Sequence, residues 1–226
     1  KSTTFAVVNE VGAYGRPRVQ TKFIFMTDNK MRTEILTIDK GQCLTDVLPA
    51  IPANTIFDKT ITGCGATHSE IVNAARHSII IEPNIPVILG KKAEHPFLFA
   101  VYEGITKEDV KAYLAGEHDG YRKIITTPEG FDKKVLPAMH ELEIPVYKDY
   151  FLLFDECEKA IQDVGYRGDI YLPVEDFFKF ENKAMVSATP IVPSDPRFEE
   201  NGFKILKLVP TYDSRIELTL CTTNNT

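Results

Sequence analysis

The sequence predicts an α/β sandwich with a mainly parallel central sheet and a small N-terminal appendage. Three observations predict it. Short, unbroken apolar runs recur along the chain, among them Ile79-Ile80-Ile81 and Phe151-Leu152-Leu153-Phe154. Runs of that length suit strands buried on both faces, as parallel strands are. Helix-forming stretches lie between them, and such alternation implies right-handed βαβ crossovers. Clusters of Gly, Asp, Ser and Thr follow several of the runs, at the carboxyl ends where open α/β sheets bind ligands.

The elements follow in order. Residues 21–26 (TKFIFM) and 33–38 (TEILTI) read as strands by their β-branched and aromatic content. Residues 42–50 read as a short helix closed by the Ile51-Pro52 step, because a proline disfavours helical backbone before it. Residues 1–55 are therefore expected to form the appendage, a hairpin plus a helix. Candidate strands beyond it are 55–60, 78–82, 97–102, 123–127, 150–154, 184–187 and 204–209. Helices are expected over 68–76, from Thr106 onward, over 130–142 and over 156–164. Thr106 suits an N-cap, with Glu108 and Asp109 in a first turn where the helix dipole favours acids. Residues 56–210 then form one domain, and 211–226, strand-like over 215–221 and ending in the polar tail Thr222 to Thr226, start a linker.

Composition bounds the function classes. The 226 residues are 43% hydrophobic and 26% charged, enough for one sizeable core. No apolar run reaches the roughly 18 residues needed to cross a bilayer, and the first ten residues show no leader pattern. Cys43, Cys64, Cys157 and Cys221 show neither CxxC nor zinc spacing, so a reduced, cytoplasmic protein is expected. A net charge of −6 argues against gripping nucleic acid by bulk electrostatics and leaves room for a local basic strip. The Lys91-Lys92 and Lys133-Lys134 pairs are candidates for such a strip, or simply a solvated face.

Three segments carry chemistry. The first is Thr60-Ile61-Thr62-Gly63-Cys64-Gly65-Ala66-Thr67, between a strand and a helix. A glycine-rich turn there can wrap backbone N–H groups around phosphates, or can be an ordinary strand-to-helix turn. The P-loop pattern needs a lysine where Ala66 stands and a glycine where Thr60 stands; Gly63, Gly65 and Thr67 fit. The second is the apolar strand ending in Asp155-Glu156-Cys157-Glu158. Asp155 there can hold magnesium and Glu156 can polarise a water; equally, both can cap the following helix. The third is Ala184-Met185-Val186-Ser187-Ala188-Thr189-Pro190, a strand running into a turn.

In this order, Gly-x-Gly-x-Thr, Asp-Glu-x-x and Ser-Ala-Thr-Pro resemble motifs I, II and III of superfamily two (DExD/H-type) helicases. Ile79 to Asn84 resembles motif Ia, and Ile124 to Gly130 motif Ib. The resemblance spans about residues 55–190. It implies the first RecA-like P-loop NTPase domain of a nucleic-acid-dependent ATPase or translocase, working on DNA or RNA with ATP and Mg2+. On that resemblance Thr62, Gly63, Cys64, Gly65, Ala66 and Thr67 would surround the nucleotide, with Thr67 and Asp155 at the magnesium. Asp155 and Glu156 would be the catalytic acids. Glu82, Pro83, Asn84, Thr126 and Thr127 would lie near nucleic acid, and Ser187 and Thr189 would couple the site to domain movement. A second RecA-like domain would close the cleft. Glu158 makes this a DExE variant.

Ala66 removes a cation from beside a polyphosphate, at a cost of about 3–4 kcal/mol in the transition state. Three readings follow. Lys59, His68 or an arginine from another domain substitutes; or the domain binds nucleic acid or a partner without ATP turnover; or the alanine is an introduced trap. A phosphate binder unrelated to helicases is the alternative from another class.

Overall fold

The computed structural model describes residues 22–24, 31–61, 63–157, 174–189 and 195–213. Nine strands among them form one sheet in the order β1-β2-β9-β3-β8-β7-β4-β6-β5. They are β1 Lys22–Ile24, β2 Thr33–Ile38, β3 Thr55–Asp58, β4 His77–Ile81, β5 Phe99–Val101, β6 Lys123–Thr126, β7 Tyr150–Asp155, β8 Asn182–Ser187 and β9 Lys204–Pro210. Eight are mutually parallel; β1 alone runs antiparallel, against β2.

Strand periodicity divides the core into two layers. Successive side chains of a strand point to opposite faces. Ile56, Ile79, Ile81, Ile124, Leu152, Phe154 and Met185 therefore enter one buried layer. Their neighbours Phe57, Ile80, Ile125, Phe151, Leu153, Ala184 and Val186 enter the other. Helices cover both faces. Leu44 and Val47 of α1 (Leu44–Val47), Ala66 and Ile71 of α2 (Ala66–Ile71) and Ile88 of α3 (Ile85–Glu94) close the second layer. Val110 and Leu114 of α4 (Lys107–Ala115), with Phe131, Val135, Leu136 and Met139, close the first. Burying each such large side chain contributes about 1.5–3 kcal/mol, so both faces of the sheet must be covered.

Local signals behave as the chain chemistry requires. The Thr106 hydroxyl accepts from the Asp109 amide at 3.2 Å, and the Asp109 carboxylate takes the Thr106 amide at 2.8 Å, a capping box. The helix expected over 130–142 runs as Pro128–Gly130, a π-turn at Phe131–Val135 and Leu136–Glu141. The helix after the glycine-rich turn begins at Ala66, ahead of the expected 68, and ends at Ile71. Of the helix expected over 156–164, residues 158–164 lie outside the described residues, as do residues 214–226 of the expected linker.

The expected boundary at residue 55 needs correcting. β2 is not part of a separate appendage: it pairs in parallel with β9 over Thr33↔Ile205 to Ile38↔Pro210. Leu36, Ile38, Leu44, Val47 and Ile51 share the core layer of Phe57 and Leu153. Burying those side chains against the sheet makes residues 33–51 part of the same domain. Among the described residues, no helix is long and apolar enough to cross a membrane.

The amino end of the sheet is closed by a buried polar cluster. Arg76 Nε lies 3.0 Å from Glu70 Oε1, and its guanidinium stacks on the Phe151 ring. Lys123 Nζ donates to Ser78 Oγ at 2.8 Å and to the Arg76 carbonyl at 3.0 Å. Burial pushes the Lys123 amine down to about 8, against the pull of Glu70. These bonds satisfy charges that would otherwise be costly to bury.

Candidate functional site

Parallel pairing sets the carboxyl ends of the central strands side by side. Asp58 of β3 pairs with Ser187 of β8, and Asp155 of β7 with Val186. Ile81 of β4, the residue before Glu82, pairs with Phe154 and with Thr126. β8 alone separates the strand that leads into the glycine-rich turn from the strand that ends in Asp155. Residues distant in the chain thereby meet at one edge.

The turn itself is shaped by backbone conformation. Gly63 (φ 73) and Gly65 (φ 91) occupy the left-handed region that glycine adopts freely. Thr60 stands there too (φ 52), a costly conformation for a β-branched residue. Its amide donates to Asp58 Oδ1 at 3.1 Å, and its hydroxyl donates to the Leu208 carbonyl. The Lys59 amide donates to the Ser187 carbonyl at 2.9 Å, tying the turn to β8. Facing it, Glu156 also has a left-handed backbone (φ 52), with its amide on Asp155 Oδ1 at 2.9 Å. Of the four non-glycine residues with positive φ among those described, two thus belong to this edge; such strain concentrates at functional sites.

Asp155 is the hub. It is 2% exposed, and its two carboxylate oxygens serve different partners. Oδ2 accepts the Thr67 hydroxyl. Oδ1 accepts Lys59 Nζ at 3.2 Å, and the same ammonium lies 3.5 Å from Glu156 Oε1. Burial draws the Lys59 ammonium down, but Asp155 and then Glu156 more than offset it, so its pKa lies above the ordinary lysine range. Burial pushes the nearby Cys64 thiol up, so it stays protonated.

Glu82 is another carboxyl of this edge. It is 2% exposed, and its Oε1 accepts both the amide and the side-chain nitrogen of Asn84, each at 2.9 Å. Burial, with Asp155 and Glu156 adding to it against the Asn84 bonds, raises its pKa to about 7.

The structure brings some expected residues together and separates others. Gly63, Cys64, Gly65, Ala66, Thr67, Asp155 and Glu156 share one edge; Thr62 and Glu158 lie outside the described residues. Ala66 is buried in the core layer of Leu44 and Ile71, so its side chain packs rather than faces a ligand. Glu82 and Thr126, expected near nucleic acid, are buried. Pro83, Asn84 and Thr127 keep partial exposure. Thr127 caps the next helix, its Oγ1 accepting the Gly130 amide at 3.0 Å. Ser187 is buried, its Oγ accepting the amide of the exposed Thr189 at 2.9 Å.

Two hard oxygens, from Thr67 and Asp155, converge within hydrogen-bonding contact. That donor set fits magnesium, which takes one or two protein oxygens and fills its other positions from water and phosphate. No group of three or more His, Cys, Asp or Glu side chains able to hold a metal occurs among the described residues. Comparison with protein-family models gives no match to this chain, and comparison with curated proteins gives none either.

Proposed function

We propose that the chain is a helicase-like ATP-binding domain of a nucleic-acid-dependent ATPase or translocase acting on DNA or RNA. The observation that carries this reading is the contact of Thr67 with Asp155. It joins the glycine-rich turn to the acid-bearing strand end at the carboxyl edge of a parallel sheet, where nucleotides bind in such folds. The sheet order is consistent with a RecA-like layout, with one strand between the turn strand and the acid strand.

On this reading Thr67 Oγ1 and Asp155 would hold magnesium, which supplies neutralisation of the phosphate charge. Glu156 accepts a proton from a water as its oxygen bonds to the γ-phosphorus. The bond from that phosphorus to the β–γ bridging oxygen breaks, and ADP leaves with inorganic phosphate. Pro83, Asn84 and Thr127 are the partly exposed positions left to meet a nucleic-acid backbone. A second RecA-like domain, in the same chain or in trans, would close the site.

One observation favours a second reading, a helicase-like module that binds nucleic acid or a partner without turnover. Ala66 is buried and uncharged, so the position where a P-loop carries its lysine offers no cation to a phosphate. Titration calorimetry with magnesium and a non-hydrolysable ATP analogue, on the native chain and on Asp155→Ala, separates the two. Saturable binding that the variant loses supports the ATPase. No binding at millimolar analogue leaves the module.

A further inference from the structure

We propose that Lys59 supplies the phosphate-contacting ammonium that a lysine at position 66 would otherwise provide. The inference rests on the nucleotide reading above and assigns a residue within the same site. Lys59 leaves β3 at its carboxyl end, and its amide is pinned to the Ser187 carbonyl at 2.9 Å. The base of the side chain is thus fixed by the sheet rather than by the turn.

Its ammonium and the Thr67 hydroxyl occupy the two oxygens of a single carboxylate, that of Asp155. The cation therefore already stands at the place where magnesium and terminal phosphate would meet. One ammonium faces two carboxylates, Asp155 and Glu156. Sharing between two carboxylates lets the ammonium exchange partners once magnesium arrives. Asp155 can then turn to the metal, and the ammonium turns to the phosphate oxygens, whose geometry a flexible four-carbon stem can follow.

Other cations are worse placed. His68 is exposed, and its Nδ1 lies 3.2 Å from His95 Nε2, away from the acids. Lys207 pairs with Asp58 at 3.5 Å and is 45% exposed at its side chain. Lys123 opens β6 and Lys183 is the second residue of β8, so both stand at the opposite, amino end of the sheet. Among the described residues, Lys59 is the cation in contact with Asp155.

The test is calorimetry with magnesium and a non-hydrolysable ATP analogue, and with ADP, on the native chain, Lys59→Gln, Glu156→Gln and the double variant. The double variant removes one cation and one acid, so the net charge of the three groups is unchanged. A thermal melt on each variant accompanies the titration. Loss of one charge-assisted bond should weaken the analogue by about tenfold or more in Lys59→Gln, and in the double variant relative to Glu156→Gln. ADP should be weakened less than the analogue, a difference that a purely structural lysine would not produce. Analogue binding by the double variant within about twofold of Glu156→Gln overturns the assignment. So does equal weakening of ADP and the analogue. A native chain that binds no analogue at all overturns the nucleotide reading, and this assignment with it.

Discussion

The Thr67 hydroxyl donates to the carboxylate of Asp155 across a separation of 88 residues. Neither residue is unusual alone. Their contact arises because β3 and β7 flank β8, so the turn after one strand faces the end of the other. Together with the Lys59–Asp155 pair, it concentrates a hydroxyl and an ammonium around one buried carboxylate. That concentration is the physical basis for reading the edge as a nucleotide site.

Glu82 should make stability depend on pH. Its carboxyl titrates near 7 in the folded chain, against an ordinary value of 4.5. The native state therefore holds this proton more tightly than the unfolded chain does. Its contribution is fully present below about pH 4.5 and is lost as pH rises through about 7. Glu82→Gln keeps an oxygen for both Asn84 donors and never carries the charge. It should raise stability at pH 8 by on the order of 2–3 kcal/mol and change little near pH 5. Thermal melts of both proteins at the two pH values check this; equal melting points at pH 8 would sink it.

Ala66→Lys should not simply restore a nucleotide-binding lysine. Ala66 is 4% exposed and belongs to the core layer of Leu44, Phe57 and Ile71. A longer side chain there overpacks the layer, and its ammonium must be buried or force the turn open. The expected cost is about 1–3 kcal/mol or more. Chemical denaturation measures it. An unchanged midpoint would mean that the turn rearranges freely, contrary to the packing described.

Gly130→Ala should destabilise despite the better helix propensity of alanine. A Cβ at Gly130 would stand 2.5 Å from Thr126 Oγ1 and 3.2 Å from the Val101 carbonyl oxygen. Thr126 is fully buried and the carbonyl is backbone, so neither yields easily. Alanine gains about 1 kcal/mol in a helix, whereas overpacking costs about 1–3 kcal/mol. We expect a net loss of about 1–2 kcal/mol in urea unfolding, where a gain would contradict the close approach.

Some of this was readable along the chain because the signals are local. Thr106 with Asp109 predicted a capped helix start, and the structure contains that box. The apolar run before Asp155 predicted a strand with an acid at its end, and β7 ends there. The burial of Glu82 was not legible, because it depends on which strands flank β4.

Periodicity by itself determined that this chain makes strands and helices in alternation, since both repeats are encoded by neighbours in sequence. It also determined which residue types reach the strand ends, including Asp155, Glu156 and the glycines of the turn. Only the tertiary structure decided which strands pair. β2 alternates equally well in a detached hairpin or in the main sheet, and its partner β9 lies some 170 residues away, as the bond from Lys204 to Glu34 marks. The same holds for Lys59, whose ammonium reaches Asp155 over a separation of 96 residues. Pairing between distant strands depends on the summed burial of both faces, a property no single segment carries.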